Sequence, residues 1–139
     1  MSISITPHLN FNGHARAALT FYHSVFAGEI TLISYGEAGA APMAPAPEHI
    51  LWGQVSNDQG FRIMAYDVQT DRAWHPGENA MYVVLGAETP AEATDYWGKL
   101  ADGATIMQPL SPAPWAPLYG MLKDRFGVVW VVSVAGAPR

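Results

Sequence analysis

The 139-residue sequence has no cysteine, which removes disulfides, thiolate metal sites and cysteine nucleophiles together and fits a reducing, cytoplasmic setting. Basic residues are also few: seven lysines and arginines are scattered singly among twelve acids, for a formal charge of −5. No basic stripe is available for a phosphate backbone, so nucleic acid is not an expected partner. No stretch approaches the roughly 18 apolar residues of a membrane span, so no membrane partner is expected either. The segment from Met1 to His8 lacks the basic and apolar regions of a secretory signal. A GxSxG elbow, a Walker loop, an HExxH segment and a glycine-rich dinucleotide turn are all missing, so covalent serine catalysis and nucleotide-dependent chemistry have no motif behind them.

What is present is apolar and aromatic. Half of the residues are hydrophobic, with five Trp, six Tyr and five Phe, enough for a sizeable core in one domain or in two small halves sharing an interface. Ile5, Pro7, Leu9 and Phe11 alternate with Thr6, His8, Asn10 and Asn12, predicting a first strand with one apolar and one polar face. Ala15, Ala18, Leu19, Tyr22, Val25 and Phe26 then fall on one helical stripe, which Gly28 ends. Strands are expected over 29–35, 49–55 and 61–67, the last two joined by the turn Ser56-Asn57-Asp58-Gln59-Gly60. The proline-rich stretch 36–47 reads as an excursion or lid, and 70–78 as a second loop.

The scheme restarts with a strand over 79–85. Thr89-Pro90-Ala91-Glu92 is a sharp helix start, with a capping hydroxyl, a proline at the first helical position and a glutamate placed for a capping box. Ala93, Tyr96, Trp97 and Leu100 form its apolar stripe and Gly103 its stop. A short strand over 105–107 is followed by Pro109, Pro112, Pro114 and Pro117 around Trp115. A closing hairpin turns at Lys123-Asp124-Arg125-Phe126-Gly127, where Asp124 organises the reversal through its own backbone and Gly127 takes a positive φ without strain. Ala18, Phe21-Tyr22, Val25 and Gly28 recur 75 positions later as Ala93, Tyr96-Trp97, Leu100 and Gly103. Each half reads as strand, helix, then three strands, with a free sheet face that pairing would turn into a cleft.

Pro7-His8-Leu9-Asn10-Phe11-Asn12-Gly13, with Ala17 to Tyr22 and Val25 to Glu29, resembles the opening of PhnB-like proteins of the glyoxalase, bleomycin-resistance and extradiol-dioxygenase (vicinal oxygen chelate) superfamily. Trp115, Tyr119-Gly120-Met121 and Asp124 to Trp130 resemble its closing segment. The resemblance implies an α+β fold of paired βαβββ modules, a curved mixed sheet around a small-molecule cleft, in a homodimer. One domain, 1–139, would comprise half-modules 4–67 and 78–135. Chemistry on a divalent metal that chelates substrate oxygens is also implied for some members. Methyl transfer, the activity attached by name to some relatives, has no cofactor motif here.

The usual metal-ligand positions of the family fall near Ile5 or Thr6, Asn79 or Ala80, and Val131, and none of these is a strong ligand. His8, on the polar strand face with Thr6 and Asn10, is a candidate metal ligand, proton acceptor or cleft-lining residue. His49 beside Glu48 is a second candidate for metal or proton transfer, although adjacent strand side chains point oppositely. Trp52 and Gln54, sharing a parity with Ile50, offer a ring and an amide to a ligand, or else fill the core. Arg62 would recognise a carboxylate or phosphate if it faces the cleft, and makes a salt bridge otherwise. Trp115, held by prolines, and Tyr119 would close over a ligand or clamp the halves. Two functions follow: metal-assisted lyase, isomerase or dioxygenase-type chemistry, or a dimeric, non-catalytic protein that binds or sequesters a small molecule between aromatic walls.

Overall fold

The computed structural model describes residues 3–135; of the span 1–139 expected for the domain, residues 1–2 and 136–139 lie outside the described residues. The chain divides into two compact units, Met1–Pro76 and Gly77–Arg139. The first runs β1 (His8–Phe11), α1 (Ala15–Phe26), β2 (Glu29–Ser34), β3 (Ile50–Ser56) and β4 (Arg62–Asp67). The second runs β5 (Val83–Ala87), α2 (Pro90–Leu100), β6 (Thr105–Ala113), β7 (Ala116–Lys123) and β8 (Val129–Val134). The sheet orders are β1-β4-β3-β2 and β5-β8-β7-β6. β1 is parallel to β4 and β5 to β8, with all other neighbours antiparallel. Both units are thus βαβββ modules with the same topology, and the fold is α+β with two four-stranded mixed sheets.

Each helix buries one face on its own sheet. The six residues of the predicted α1 stripe are all buried, and burial of each large apolar side chain stabilises by about 1.5–3 kcal/mol. Phe26 also stacks on Phe61, with ring centroids 3.8 Å apart. In both modules the helix rests on a glycine of the third strand. A Cβ on Gly53 of β3 would come within 2.3 Å of Leu19 Cδ1, and one on Gly120 of β7 within 2.9 Å of the Trp97 ring. At the start of α2, Thr89 Oγ1 accepts the N–H of Glu92 as the motif predicts. Glu92 reaches back to the N–H of Glu88, one residue before the expected partner.

Four expectations change. The first strand begins at His8 and not at Ile5, which is 93% exposed and lies ahead of Pro7, a residue with no N–H to give the ladder. The fifth strand begins at Val83 and not at 79, because Gly77 and Asn79 both take positive φ and keep the chain turning. The strand expected over 105–107 extends through Pro109 and Pro112 to Ala113. β6 is an edge strand, where a residue without an N–H is tolerated. Ile50 does not share a face with Trp52: the β2–β3 register shifts between Ile33 and Ser34, leaving Ile50 fully buried while Trp52 is 37% exposed. The 36–47 excursion is closed at its base by Gly36 N–H to Pro47 O and Tyr35 N–H to His49 O, both 2.9 Å, and carries a short 3-10 turn, Ala41–Met43.

Candidate functional site

Strand pairing assigns every side chain of the first sheet to a face, because paired residues point the same way. Leu9, Ile63, Ala65, Gly53 and Val55 lie toward α1. On the opposite face a continuous row crosses the four strands: His8 pairs with Met64, Met64 with Gln54, and Gln54 with Thr31. One step along, Asn10 pairs with Tyr66, and the β3–β4 register brings Trp52 beside them. One step the other way stand Arg62, Ser56 and Glu29. Four of the sequence candidates, His8, Trp52, Gln54 and Arg62, therefore share the helix-free face of one sheet.

The residues in these rows constrain one another. His8 Nδ1 donates to Asn10 Oδ1 at 2.8 Å, which leaves Nε2 with its lone pair in the neutral ring. The Tyr66 ring meets the His8 ring edge-on at 5.2 Å. The segment following β4 folds back onto the same place, where Trp74 Nε1 donates to the backbone O of Asn10 at 2.8 Å and an Arg72 guanidinium nitrogen lies 3.5 Å from the Tyr66 hydroxyl. Sequence reading left 70–78 as a plain loop and did not select Tyr66, Arg72 or Trp74. Only Tyr66 carried a signal, its alternation with Arg62 and Met64 along β4.

His49 sits elsewhere in the unit. Its ring lies against Gly13, with Nε2 3.4 Å from where a Cβ would stand. Its Nδ1 is buried without a hydrogen-bond partner among the described residues. Next to it, the buried carboxylate of Asp67 accepts the backbone N–H groups of Gly13 and Ala15 on Oδ1 and of Ile50 on Oδ2. Tyr35 donates its hydroxyl to the backbone O of Asp67 at 2.7 Å, and burial pushes its phenol above the ordinary range. This cluster pins the helix start to the sheet and was not foreseen from the sequence. A concavity of about 440 Å³ lined by Gly28, Glu29, Ser56, Asn57 and Asp58 contains none of the candidates.

In the second unit, Trp115 and Tyr119 make an edge-on ring pair at 5.2 Å. Trp115 lies in the connection between β6 and β7, and Tyr119 pairs with Ser133 at the end of the β7–β8 ladder. The row matching that of the first sheet is Val84, Val131, Met121 and Gln108. Asp124 behaves as its turn predicts: Oδ1 accepts the N–H groups of Phe126 and Val128, and Oδ2 the indole N–H of Trp130.

The residues present do not fit a divalent metal at the family's ligand positions. Val131 is a valine, Asn79 already accepts the Tyr82 hydroxyl at 2.7 Å, and Thr6 is a neutral hydroxyl. Among the described residues, no three His, Asp or Glu side chains gather where they could hold an ion. No helix among them is long and apolar enough to cross a membrane.

Comparison with known proteins agrees with this fold. Residues 3–133 match the family described as 3-demethylubiquinone-9 3-methyltransferase. The crystal structure of protein PA1353 from Pseudomonas aeruginosa is 31% identical, covers 96% of this chain and 98% of its own, and superposes with a TM-score of 0.83. The PhnB protein from Bacillus cereus is 30% identical over 96% of this chain and 100% of its own, with a TM-score of 0.73. A glyoxylase/bleomycin resistance protein/dioxygenase domain from Frankia sp. EAN1pec shares the fold at 9% identity, with a TM-score of 0.68 over 100% of this chain and 96% of its own. The chain belongs to the PhnB-like family described as 3-demethylubiquinone-9 3-methyltransferase, and its fold is shared with a glyoxylase/bleomycin resistance protein/dioxygenase domain.

Proposed function

We propose that this protein binds a flat, oxygen-bearing organic molecule on the helix-free face of its first sheet, as a binding or sequestration protein. The observation that carries this reading is the row His8, Met64, Gln54 and Thr31 with Trp52, Tyr66 and Arg62 beside it. It combines ring surface, a soft thioether, an amide and a cation, the mixture that small-molecule sites use. Arg62 makes no ion pair among the described residues, so its charge is available to a ligand.

Metal-assisted lyase, isomerase or dioxygenase-type chemistry has weaker support, since the donor set does not suit the ion. Methyl transfer, the activity in the family's description, also has little behind it: the turn into α1 carries no glycine-rich fingerprint, and its N–H groups are taken by Asp67. We place the protein in the cytoplasm and treat 1–139 as one domain with half-modules 4–67 and 78–135. We also propose a homodimer, because Ile3, Ile5, Met81 and Val84 are each more than half exposed in the single chain.

Calorimetric titration with flat aromatic acids, phenols and quinones tests the reading. Binding that weakens about tenfold in Trp52→Ala and in Gln54→Ala, with unfolding temperature retained, is the expected result. Absence of any binder at millimolar concentration, or indifference to both substitutions, would overturn it. Stoichiometric Mn, Ni, Zn or Fe that is lost on His8→Ala and His49→Ala would restore the metalloenzyme reading, and light scattering checks the dimer.

A further inference from the structure

The segment 68–76, which runs on from β4, is tied down on both sides of Arg72. Val68 N–H donates to Phe11 O at 2.8 Å and Thr70 N–H to Met43 O at 2.9 Å. Arg72 N–H closes a turn onto Gln69 O, and Trp74 Nε1 then reaches Asn10 O. The guanidinium held between these anchors comes back to Tyr66, the centre of the row that contains Trp52 and Asn10. Arg72 is exposed and makes no ion pair with any described carboxylate. By contrast, Arg125 is paired with Asp102.

The chemistry at that point is one-sided. A guanidinium presents five N–H donors, and the single contact to Tyr66 leaves most of them free. The Tyr66 oxygen accepts from Arg72, so its own proton remains available to an acceptor. A carboxylate placed over Tyr66 would take two parallel N–H donors from Arg72 and one O–H donor from Tyr66, the bidentate arrangement that arginine suits and a lysine cannot reproduce. The flat body attached to it would extend along the sheet over Tyr66 and Trp52, which neighbour each other across adjacent strands at a spacing of about 4.8 Å.

We propose that Arg72 is the anion-recognising residue of the ligand face, and that the ligand class is an aromatic or conjugated carboxylic acid whose carboxylate sits on Arg72 and Tyr66. This rests on the reading of the helix-free face as the ligand surface. It adds a direction: the acid end lies at the β1–β4 side, under the 68–76 segment.

Titration calorimetry of the full chain with 1-naphthoate and with 1-naphthamide, which differ only in the charged end, tests it. The wild type is expected to bind the acid at least tenfold more tightly than the amide. Arg72→Gln is expected to abolish that preference by weakening the acid alone, Arg72→Lys to retain only part of it, and Tyr66→Phe to lower acid binding a few-fold. Lys99→Gln, which removes a surface cation from α2, controls for net charge and is expected to leave the preference intact. Equal affinity for acid and amide in the wild type, or a preference that survives Arg72→Gln, overturns the assignment while leaving the ligand face standing. Binding of neither probe at millimolar concentration overturns the assignment, and the titrations with phenols and quinones then decide whether the face stands.

Discussion

Oδ2 of Asp67, in the last residue of β4, accepts the backbone N–H of Ile50, in the first residue of β3, over 2.9 Å. Its other oxygen accepts Gly13 N–H at 2.7 Å and Ala15 N–H at 3.1 Å. Helix α1 has no cap of its own, since the His14 side chain at its N-cap makes no capping hydrogen bond. A distant buried carboxylate therefore does what a local Ser or Asp does in most helices, and its charge suits the positive end of the helix dipole. Asp67→Asn turns an NH2 group toward donors that need an acceptor. The expected loss is about 2–3 kcal/mol by urea unfolding, with faster amide exchange at Gly13, Ala15 and Ile50. Unchanged stability would contradict the role.

Gly120→Ala is expected to destabilise the second unit. Its Cβ would stand 2.9 Å from both the Trp97 ring and Leu110 Cα, and neither a packed indole nor backbone moves cheaply. Overpacking of this kind costs roughly 1–3 kcal/mol. Double substitution with Trp97→Leu should recover part of the loss, as read by thermal unfolding.

Ala27 closes α1 at φ 58° and ψ −156°, a conformation that glycine occupies readily and alanine does not. Ala27→Gly is accordingly expected to raise stability by about 1 kcal/mol, the relief of strain outweighing the greater freedom glycine gives the unfolded chain. A lower unfolding temperature in this variant would show that the backbone there is not strained.

Tyr35 gives an alkaline limit. Burial, the largest influence, raises its phenol above the ordinary 10.0, with Tyr66 and Asp67 adding to the rise. The folded state therefore holds the proton more tightly than the unfolded one. Its contribution is complete below pH 10 and is lost as pH climbs from there through the folded value. Tyr35→Phe cannot ionise, so it should lose about 1 kcal/mol at neutral pH through the missing bond to Asp67 and then fall less steeply than wild type above pH 10. Parallel curves for the two proteins would sink this account.

What could be read in advance was whatever depends on near neighbours. The α1 stripe, the Thr89 cap and the Asp124 turn each need only residues within about two turns of chain, and all three are found as read. The polar face of β1 was visible from its alternation, but not its neighbours: that His8 stands in line with Gln54 depends on register across β4, which no local pattern encodes. Asp67 was invisible for the same reason, since its partners at 13, 15 and 50 are far away in sequence. Ile50 does not share the face of Trp52 because Leu51 is an extra, unpaired residue in β3 that breaks the period of two. Arg72 and Trp74 lie in a segment whose composition says only that it is a loop.

The ribbon formed by β6 and β7 bears on whether the sheet of the second unit can be extended from its edge. Pro109, Pro112, Pro114 and Pro117 remove four amide donors from a stretch of nine residues, and three register shifts break the ladder beside them. An interrupted edge is a poor template for another strand. Another strand is therefore poorly matched to the sheet edge at β6, which guards a chain half of whose residues are hydrophobic against open-ended polymerisation.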